Sequence, residues 1–196
     1  MKTAKRKKQP IPLVGQLKEE LRREKYRERY LKMLRSTLEA LLVTAAAAVL
    51  VATLWLPVLR IVGGSMAPTL EEGDVVICVK GLEPEPGQLV SFYVGNKLLV
   101  KRCIAGPGQM VSMDEEGNVY VDERQLEEAY VQDRTLGQCD ISWPCLVPED
   151  QFFCLGDHRS TSADSRLEAV GCIPRDQIAA RPVLRIWPLN RFGLLQ

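Results

Sequence analysis

The sequence predicts a mainly β domain behind a single N-terminal transmembrane helix, and three observations carry this prediction. An uncharged run of 19 residues, Leu41–Leu59, lies near the N-terminus. After it, short segments rich in β-branched and aromatic residues alternate with clusters of Gly, Pro, Asn and Asp. Many short strands separated by such turns are typical of an antiparallel barrel or sandwich. The remaining length, about 135 residues, suffices for one domain with a buried core.

The segment before the apolar run, residues 1–35, is strongly basic. It contains 13 Lys and Arg against 4 Asp and Glu, a net charge of +9, whereas the rest of the chain carries −8. Met1–Pro10 is interpreted as a basic tail and Gln16–Arg35 as a helix, because its leucines and tyrosines recur at approximately helical spacing. The helix is either solvated or lies on anionic lipid. Its interspersed glutamates and the lack of a recognised motif predict no binding to nucleic acid.

The apolar run has the length of a membrane span. At about 1.5 Å per residue it covers roughly 28 Å, close to the ~30 Å thickness of the hydrocarbon layer. A basic segment directly before such a run predicts a cytoplasmic N-terminus. The alternatives are a buried core helix and a cleaved signal peptide, whose apolar part is usually only about 7–15 residues long. We expect a basic cytoplasmic segment at 1–35, a transmembrane anchor at 36–60 and an extracytoplasmic β-rich domain at 61–196, and hence a single-pass protein of the cell membrane.

Six segments of the C-terminal part are predicted as strands from their composition and flanking turns. They are Asp74–Lys80, Gln88–Val94, Lys97–Ile104, Asn118–Asp122, Gln151–Leu155 and Pro182–Trp187. Only Asp176–Ala180 and Arg124–Tyr130 are candidates for brief helices.

Several chemistries can be set aside from residue counts. The single histidine, His158, argues against a His-rich metal centre, and no Cys-x-x-Cys pair suggests structural zinc. No metal and no cofactor are therefore predicted. Among the six cysteines, Cys139 and Cys145 flank a short loop and could pair, while the other four resemble buried small hydrophobic residues. Trp143, in the same loop, is expected either at the bilayer interface or in the core.

A serine, a lysine and a polar loop remain as candidates for chemistry. Ser65 lies in GGSMAPTL, six residues after Leu59, and six extended residues reach about 20 Å at most. A serine hydroxyl needs a base to take its proton. Lys101, in KLLVKRCIAGPG, can be that base only when neutral, and burial favours the neutral form. The loop Gly156–Arg166, GDHRSTSADSR, is too polar for a strand.

In this order and spacing, the three segments closely resemble the bacterial type I signal peptidases, especially the short form of Gram-positive bacteria. EGDVV, EPGQLV and the region from Val147 to Leu195 also fit that family. The resemblance implies a largely β, coiled-sheet fold with its active site at the membrane surface. It further implies a Ser–Lys dyad, in which Ser65 attacks the scissile carbonyl and neutral Lys101 accepts the proton.

The resemblance also suggests roles for the surrounding residues. Ser162 matches the family serine whose hydroxyl orients the lysine amine. Asp164 and Arg166 match an ion pair that braces the loop, and Asp157 and Arg159 belong to the same motif in a structural role. The oxyanion region would comprise Gly63, Gly64 and Ser65. The candidate site residues are therefore Ser65, Lys101, Ser162, Asp157, Arg159, Asp164, Arg166, Gly63 and Gly64.

An alternative mechanism would use a Ser65–His158–Asp157 triad. Adjacent residues such as Asp157 and His158 align poorly on each other, so the dyad is favoured. Two functions follow. The first is a membrane-anchored serine endopeptidase that works as a monomer and removes signal peptides from exported preproteins. The resemblance implies that these substrates carry small residues at positions −1 and −3 from the cut. The second is a catalytically silent relative that serves as an assembly factor for surface proteins or pilins.

Overall fold

The structure is a computed structural model that describes residues 14–195. Part of the basic segment, including Met1–Pro10, therefore lies outside the described residues. The chain divides into two compact units at Val51/Ala52. Helix α1, Val14–Trp55, forms the described part of the first unit, and its last turn belongs to the second. The helix predicted at Gln16–Arg35 is confirmed as part of α1.

The apolar part of α1 is long and hydrophobic enough to cross a membrane, with a mean hydropathy of 2.0 over its best window. The helix ends at Trp55, four residues before the predicted end of the apolar run. Pro57 explains this end, because proline disfavours the helical conformation of the residue before it and has no N–H to donate. The following residues, Val58–Arg60, form a strand and belong to the second unit.

The described part of the second unit contains twelve strands, all paired antiparallel. They are β1 Val58–Arg60, β2 Val75–Val79, β3 Leu89–Val94, β4 Lys97–Ala105, β5 Met110–Met113, β6 Val119–Val121, β7 Arg124–Gln125, β8 Cys145–Leu146, β9 Gln151–Leu155, β10 Ile173–Pro174, β11 Ile178–Trp187 and β12 Gly193–Leu194. The larger sheet has the order β1-β2-β11-β3-β4-β9-β10, with β12 on β11, and the smaller one has the order β7-β6-β5-β8. The predicted fold class is confirmed.

Long strand β11 bridges two parts of the larger sheet. Its first residues pair with β3 and the rest pair with β2, and register shifts interrupt both ladders. Such irregularities bend a strand and increase its twist. The bent sheet packs on three clusters of buried side chains. One of them includes Met66 and Leu70, so the turn that carries Ser65 is anchored in the core.

All six predicted strands are confirmed, but both brief helices are wrong. Of the segment Asp176–Ala180, only the first two residues are helical, in the 3-10 turn Arg175–Gln177, and β11 begins directly after it at Ile178. Residues 124–125 form β7, and 126–130 are irregular. The short strands β1, β5, β7, β8, β10 and β12 were not predicted, because their two to four residues, unlike those of the similarly short β6, do not stand out as a β-branched and aromatic run between turn residues.

All six cysteines are free thiols, so Cys139 and Cys145 are not paired with each other. Three of the remaining four are buried as predicted, whereas Cys172 is only half-buried. Trp143 packs against Phe153, with ring centroids 5.9 Å apart. Of the two alternatives for Trp143, this contact supports core packing.

Candidate active site

Ser65 lies in a tight turn that follows β1. Gly63 precedes it with a φ of 85°, a left-handed conformation that glycine adopts without strain. The amide of Leu70 donates to the carbonyl of Met66 at 2.8 Å, and both side chains are buried. The buried side chains of Met66 and Leu70 therefore hold the turn against the core, while Ser65 itself remains half-exposed.

Lys101 projects from the middle of β4 toward this turn. It is paired with Val90 of β3 and is only 2% exposed. Its Nζ lies 2.7 Å from Ser65 Oγ, within hydrogen-bond distance. The structure thus brings together the two residues predicted as nucleophile and base, 36 residues apart in the chain.

The pKa of Lys101 is lowered from 10.5 to about 8. Burial is the main cause, because it penalises the charged ammonium form, and the positive charge of Arg166 adds to the effect. The negative charges of Asp164 and Asp157 oppose it and raise the pKa. Lys101 therefore loses its proton at a lower pH than a free lysine, which stays charged well above neutral pH.

Arg102, the neighbour of Lys101, points to the opposite face of β4 as the alternation of a strand predicts. Its guanidinium donates to both carboxylate oxygens of Asp157, at 2.9 and 2.7 Å, and to the carbonyl of Gly87 at 2.6 Å. The hydroxyl of Thr69 donates to the same carboxylate at 2.5 Å. Asp157 therefore joins β4 to the turn that carries Ser65.

Asp164 and Arg166 form the predicted ion pair. Arg166 donates to both carboxylate oxygens at 2.8 Å, and both side chains are fully buried. The guanidinium also donates to the carbonyls of Leu136 and Arg159, at 2.6 and 2.8 Å. Asp164 in turn accepts a hydrogen bond of 3.0 Å from the amide of Gly156. The pair therefore braces both ends of the loop.

Arg159 is fully buried and forms an ion pair with Glu128, a residue that the sequence analysis did not select. One of its two hydrogen bonds to that carboxylate measures 3.1 Å. Its Nε donates to the carbonyl of Gly156, also at 3.1 Å. The partner of Asp157 is thus Arg102, and that of Arg159 is Glu128. Neither contact has a sequence signal, since a glutamate in a polar segment resembles any surface glutamate.

Ser162 is buried near the dyad, but its hydroxyl has no hydrogen-bond partner among the residues described. The predicted hydrogen bond from Ser162 to the Lys101 amine is therefore not formed in this structure. Instead the Ser162 side chain packs against Gly156. A Cβ atom added to Gly156 would lie only 2.1 Å from Ser162 Oγ. The same Cβ would lie 2.6 Å from the carbonyl oxygen of Ser65. Only glycine fits between these two groups.

His158 contacts Ser65 through its backbone rather than its ring. Its amide donates to the carbonyl of Ser65 at 3.1 Å. The ring nitrogens lie 2.8 Å from Thr161 Oγ1 and 3.4 Å from Ser160 Oγ. The alternative triad is not formed, because the ring faces its own loop and the Asp157 carboxylate binds Arg102.

A cavity of about 170 Å³ adjoins the dyad. One wall runs from Leu59 through Gly63 to Ser65, and the other runs from Leu98 to Lys101. Most of the side chains that line it are apolar. At Gly63 and Gly64, a Cβ would meet no atom within 4 Å, so the backbone of the predicted oxyanion region is open to a ligand. Among the described residues, no group of His, Cys, Asp and Glu side chains is arranged to hold a metal ion.

The protein-family model described as "Signal peptidase, peptidase S26" matches residues 34–187, and the chain belongs to this family. A protein of a Synechocystis strain named "Probable signal peptidase I-2" is 36% identical over 67% of this chain and 63% of its own length. The signal peptidase I of Leptolyngbya laminosa is 36% identical over 67% of this chain and 68% of its own length. The matched region thus spans slightly less than two thirds of the first relative.

Two further matches are more distant in sequence. A Staphylococcus aureus protein named "Inactive signal peptidase IA" is 28% identical over 66% of this chain and 78% of its own length. A crystal structure of a signal peptidase I from Enterococcus faecalis is 25% identical, covers 51% of this chain and 97% of its own, and has a TM-score of 0.42.

Proposed function

We propose that this protein is a membrane-anchored serine endopeptidase that removes N-terminal signal peptides from exported preproteins. The observation that carries the proposal is the 2.7 Å separation of Ser65 Oγ and the buried Lys101 Nζ. Membership of the signal peptidase family supplies the substrate class. The lowered pKa of Lys101, about 8, supports its role as the base.

In the proposed reaction, the Ser65 hydroxyl donates its hydrogen to neutral Lys101 while Oγ bonds to the scissile carbonyl carbon. The resulting ammonium then passes the proton to the leaving amine as the peptide bond breaks. Water hydrolyses the acyl-enzyme with Lys101 again as base. One alkylamine with a pKa near the working pH can serve in both directions, because neither protonation state is strongly disfavoured.

The developing oxyanion needs preorganised donors. The backbone N–H of Ser65 makes no hydrogen bond to any residue that the structure describes, and the preceding glycines leave space beside it. We propose this N–H as one donor. Ser162 would orient the Lys101 amine once substrate is bound, when its buried hydroxyl acquires a partner.

The cavity beside the dyad favours small side chains at the cleavage site. Its volume of about 170 Å³ is well below the ~300–1,000 Å³ typical of sites for drug-sized ligands. Small residues at positions −1 and −3 are what the resemblance to the family implies for the proposed substrates, and the small cavity supports this part of the proposal. The apolar part of α1 would anchor the enzyme in the membrane, with the basic segment in the cytoplasm and the β domain on the other side.

A catalytically silent role deserves a direct test, because some relatives carry the name inactive. Purified protein in detergent should be incubated with a preprotein and the products weighed by mass spectrometry. We expect two fragments from a single cleavage after a small residue, and none with Ser65→Ala. An intact preprotein that nevertheless co-purifies with the wild-type chain would support the silent assembly factor.

A further inference from the structure

A three-residue segment that follows β7, Glu128–Tyr130, contacts two of the arginines that hold the active-site loop. Glu128 is only 2% exposed, although it lies in an irregular connection between β7 and β8. Its carboxylate accepts two hydrogen bonds from the guanidinium of Arg159 and a third, at 3.1 Å, from the hydroxyl of Tyr130. Three donors on one buried carboxylate fix its orientation.

Tyr130 makes the second contact. Its ring covers the guanidinium of Arg102, whose Cζ lies 3.9 Å from the ring centroid. An aromatic face at this distance stabilises a cation, most strongly where water is excluded. Because the Tyr130 hydroxyl also binds Glu128, the two arginine contacts are parts of a single structure.

Both arginines bind one short stretch of the chain, Arg159 at a backbone carbonyl and Arg102 at a side chain. Arg159 Nε binds the carbonyl of Gly156 at 3.1 Å, and Arg102 binds the carboxylate of the next residue, Asp157. This stretch lies against Ser65, because the amide of His158 donates to the Ser65 carbonyl at 3.1 Å. The path from Glu128 to the nucleophile thus consists of direct contacts throughout.

We propose that Glu128 and Tyr130 are positioning residues for Ser65, which act through Arg159 and Arg102 on the Gly156–His158 backbone. The inference rests on the proposed function, and it goes beyond that function by giving a role to a segment outside the Ser, Lys and loop motifs. Neither residue lines the cavity beside the dyad. They therefore affect the geometry of the nucleophile and not the affinity for substrate.

The charges around the loop support this role. Three buried arginines form ion pairs with three buried carboxylates, and their charges cancel, so the site carries no net charge when Lys101 is neutral. These six groups are Arg102, Arg159, Arg166, Glu128, Asp157 and Asp164. Loss of one carboxylate leaves a buried guanidinium without its counter-ion. The segment that the guanidinium holds must then move or admit water.

The first test is independent of any substrate. Amide hydrogen exchange, measured by mass spectrometry on the full chain in detergent, should be compared for wild type, Glu128→Gln and Tyr130→Leu. We expect exchange of residues 156–162 to rise about tenfold in Glu128→Gln, with β3 unchanged, because a local opening exposes only the amides it frees. The matched control is Glu127→Gln, an exposed neighbour, which should behave as wild type.

The second test is kinetic. Cleavage of a preprotein by Glu128→Gln should show kcat reduced about tenfold with KM changed less than about twofold, the pattern of a lost transition-state interaction. Tyr130→Leu provides the same readout if Glu128→Gln does not fold. Unchanged exchange of 156–162 in the folded variants, or an equal rise in β3, would overturn the inference. A wild-type protein that cleaves no preprotein would reject the proposed function, while the exchange result would still decide whether the segment positions Ser65.

Discussion

Gly156 and Ser65 are packed so closely that a Cβ atom on Gly156 would lie 2.6 Å from the Ser65 carbonyl oxygen. The same atom would lie 2.1 Å from Ser162 Oγ, so no side chain fits between the loop and the nucleophile turn. The carbonyl oxygen of Ser65 also accepts a hydrogen bond of 3.1 Å from the amide of His158. Loop and turn are therefore in direct contact, and any substituent at Gly156 is expected to displace Ser65.

Gly156→Ala should reduce kcat/KM about 100-fold, because a shift of about 1 Å in a reacting group costs a factor of this size. The control is Gly193→Ala, where a Cβ would meet no atom within 4 Å. Both variants should be assayed by preprotein cleavage, with folding checked by circular dichroism. Full activity in folded Gly156→Ala would show that Ser65 tolerates movement of the loop.

The dyad itself can be tested by removing each member. Ser65→Ala and Lys101→Met should each lower kcat/KM by at least about 1,000-fold, because nucleophile and base act as a unit. His158→Ala should retain substantial activity, since its ring faces Thr161 and Ser160 rather than Ser65. A folded His158→Ala that is as inactive as Ser65→Ala would reject the proposed mechanism.

The pH profile should report the protonation of Lys101. Its folded-state pKa is lowered to about 8, so the neutral, active form predominates above that pH and is lost below it. We expect kcat/KM to fall about tenfold for each pH unit below the inflection. Initial rates from pH 5 to 10 with one preprotein would locate the limb. A rate that stays constant down to about pH 5 would contradict a lysine base.

Ser162 offers a test that separates catalysis from stability. Its buried hydroxyl has no partner among the described residues, and an unsatisfied buried polar group costs about 1–3 kcal/mol. Ser162→Ala should therefore keep or raise the melting temperature while kcat falls, because the amine of Lys101 loses its orienting hydroxyl in the substrate complex. Thermal unfolding and cleavage rates should be measured on the same preparation. Unchanged kcat would leave Ser162 without the proposed role.

The longer strands of the larger sheet could be predicted because their pattern is local. β2, β3, β4 and β9 each contain at least three successive residues that are apolar or β-branched, between turn residues, and this signal needs no tertiary information. β7, with only Arg124 and Gln125, has no such pattern. It exists because β6 offers it an edge, and the amino acids of β7 alone do not specify that contact.

The prediction of the site was incomplete because several of its contacts join residues that are far apart in the chain. The motifs selected Ser65 and Lys101, and the resemblance suggested that they meet. Nothing in the sequence indicated that Glu128 would be buried against Arg159, 31 residues away, because an acidic residue in a polar stretch is normally exposed. The pairing of Asp157 with Arg102 was missed for the same reason.

The last prediction concerns topology and depends on charge. Residues 1–35 carry a net charge of +9 and the rest of the chain −8, a distribution that predicts a cytoplasmic N-terminal side. Protease added to intact protoplasts should digest the β domain and spare an epitope tag placed before Met1. Detergent lysis before protease treatment is the control, and it should expose the tag as well. If the tag were digested in intact protoplasts while the β domain survived, the orientation would be inverted. The Ser65–Lys101 pair would then face the cytoplasm, and removal of signal peptides from exported proteins could not be its role.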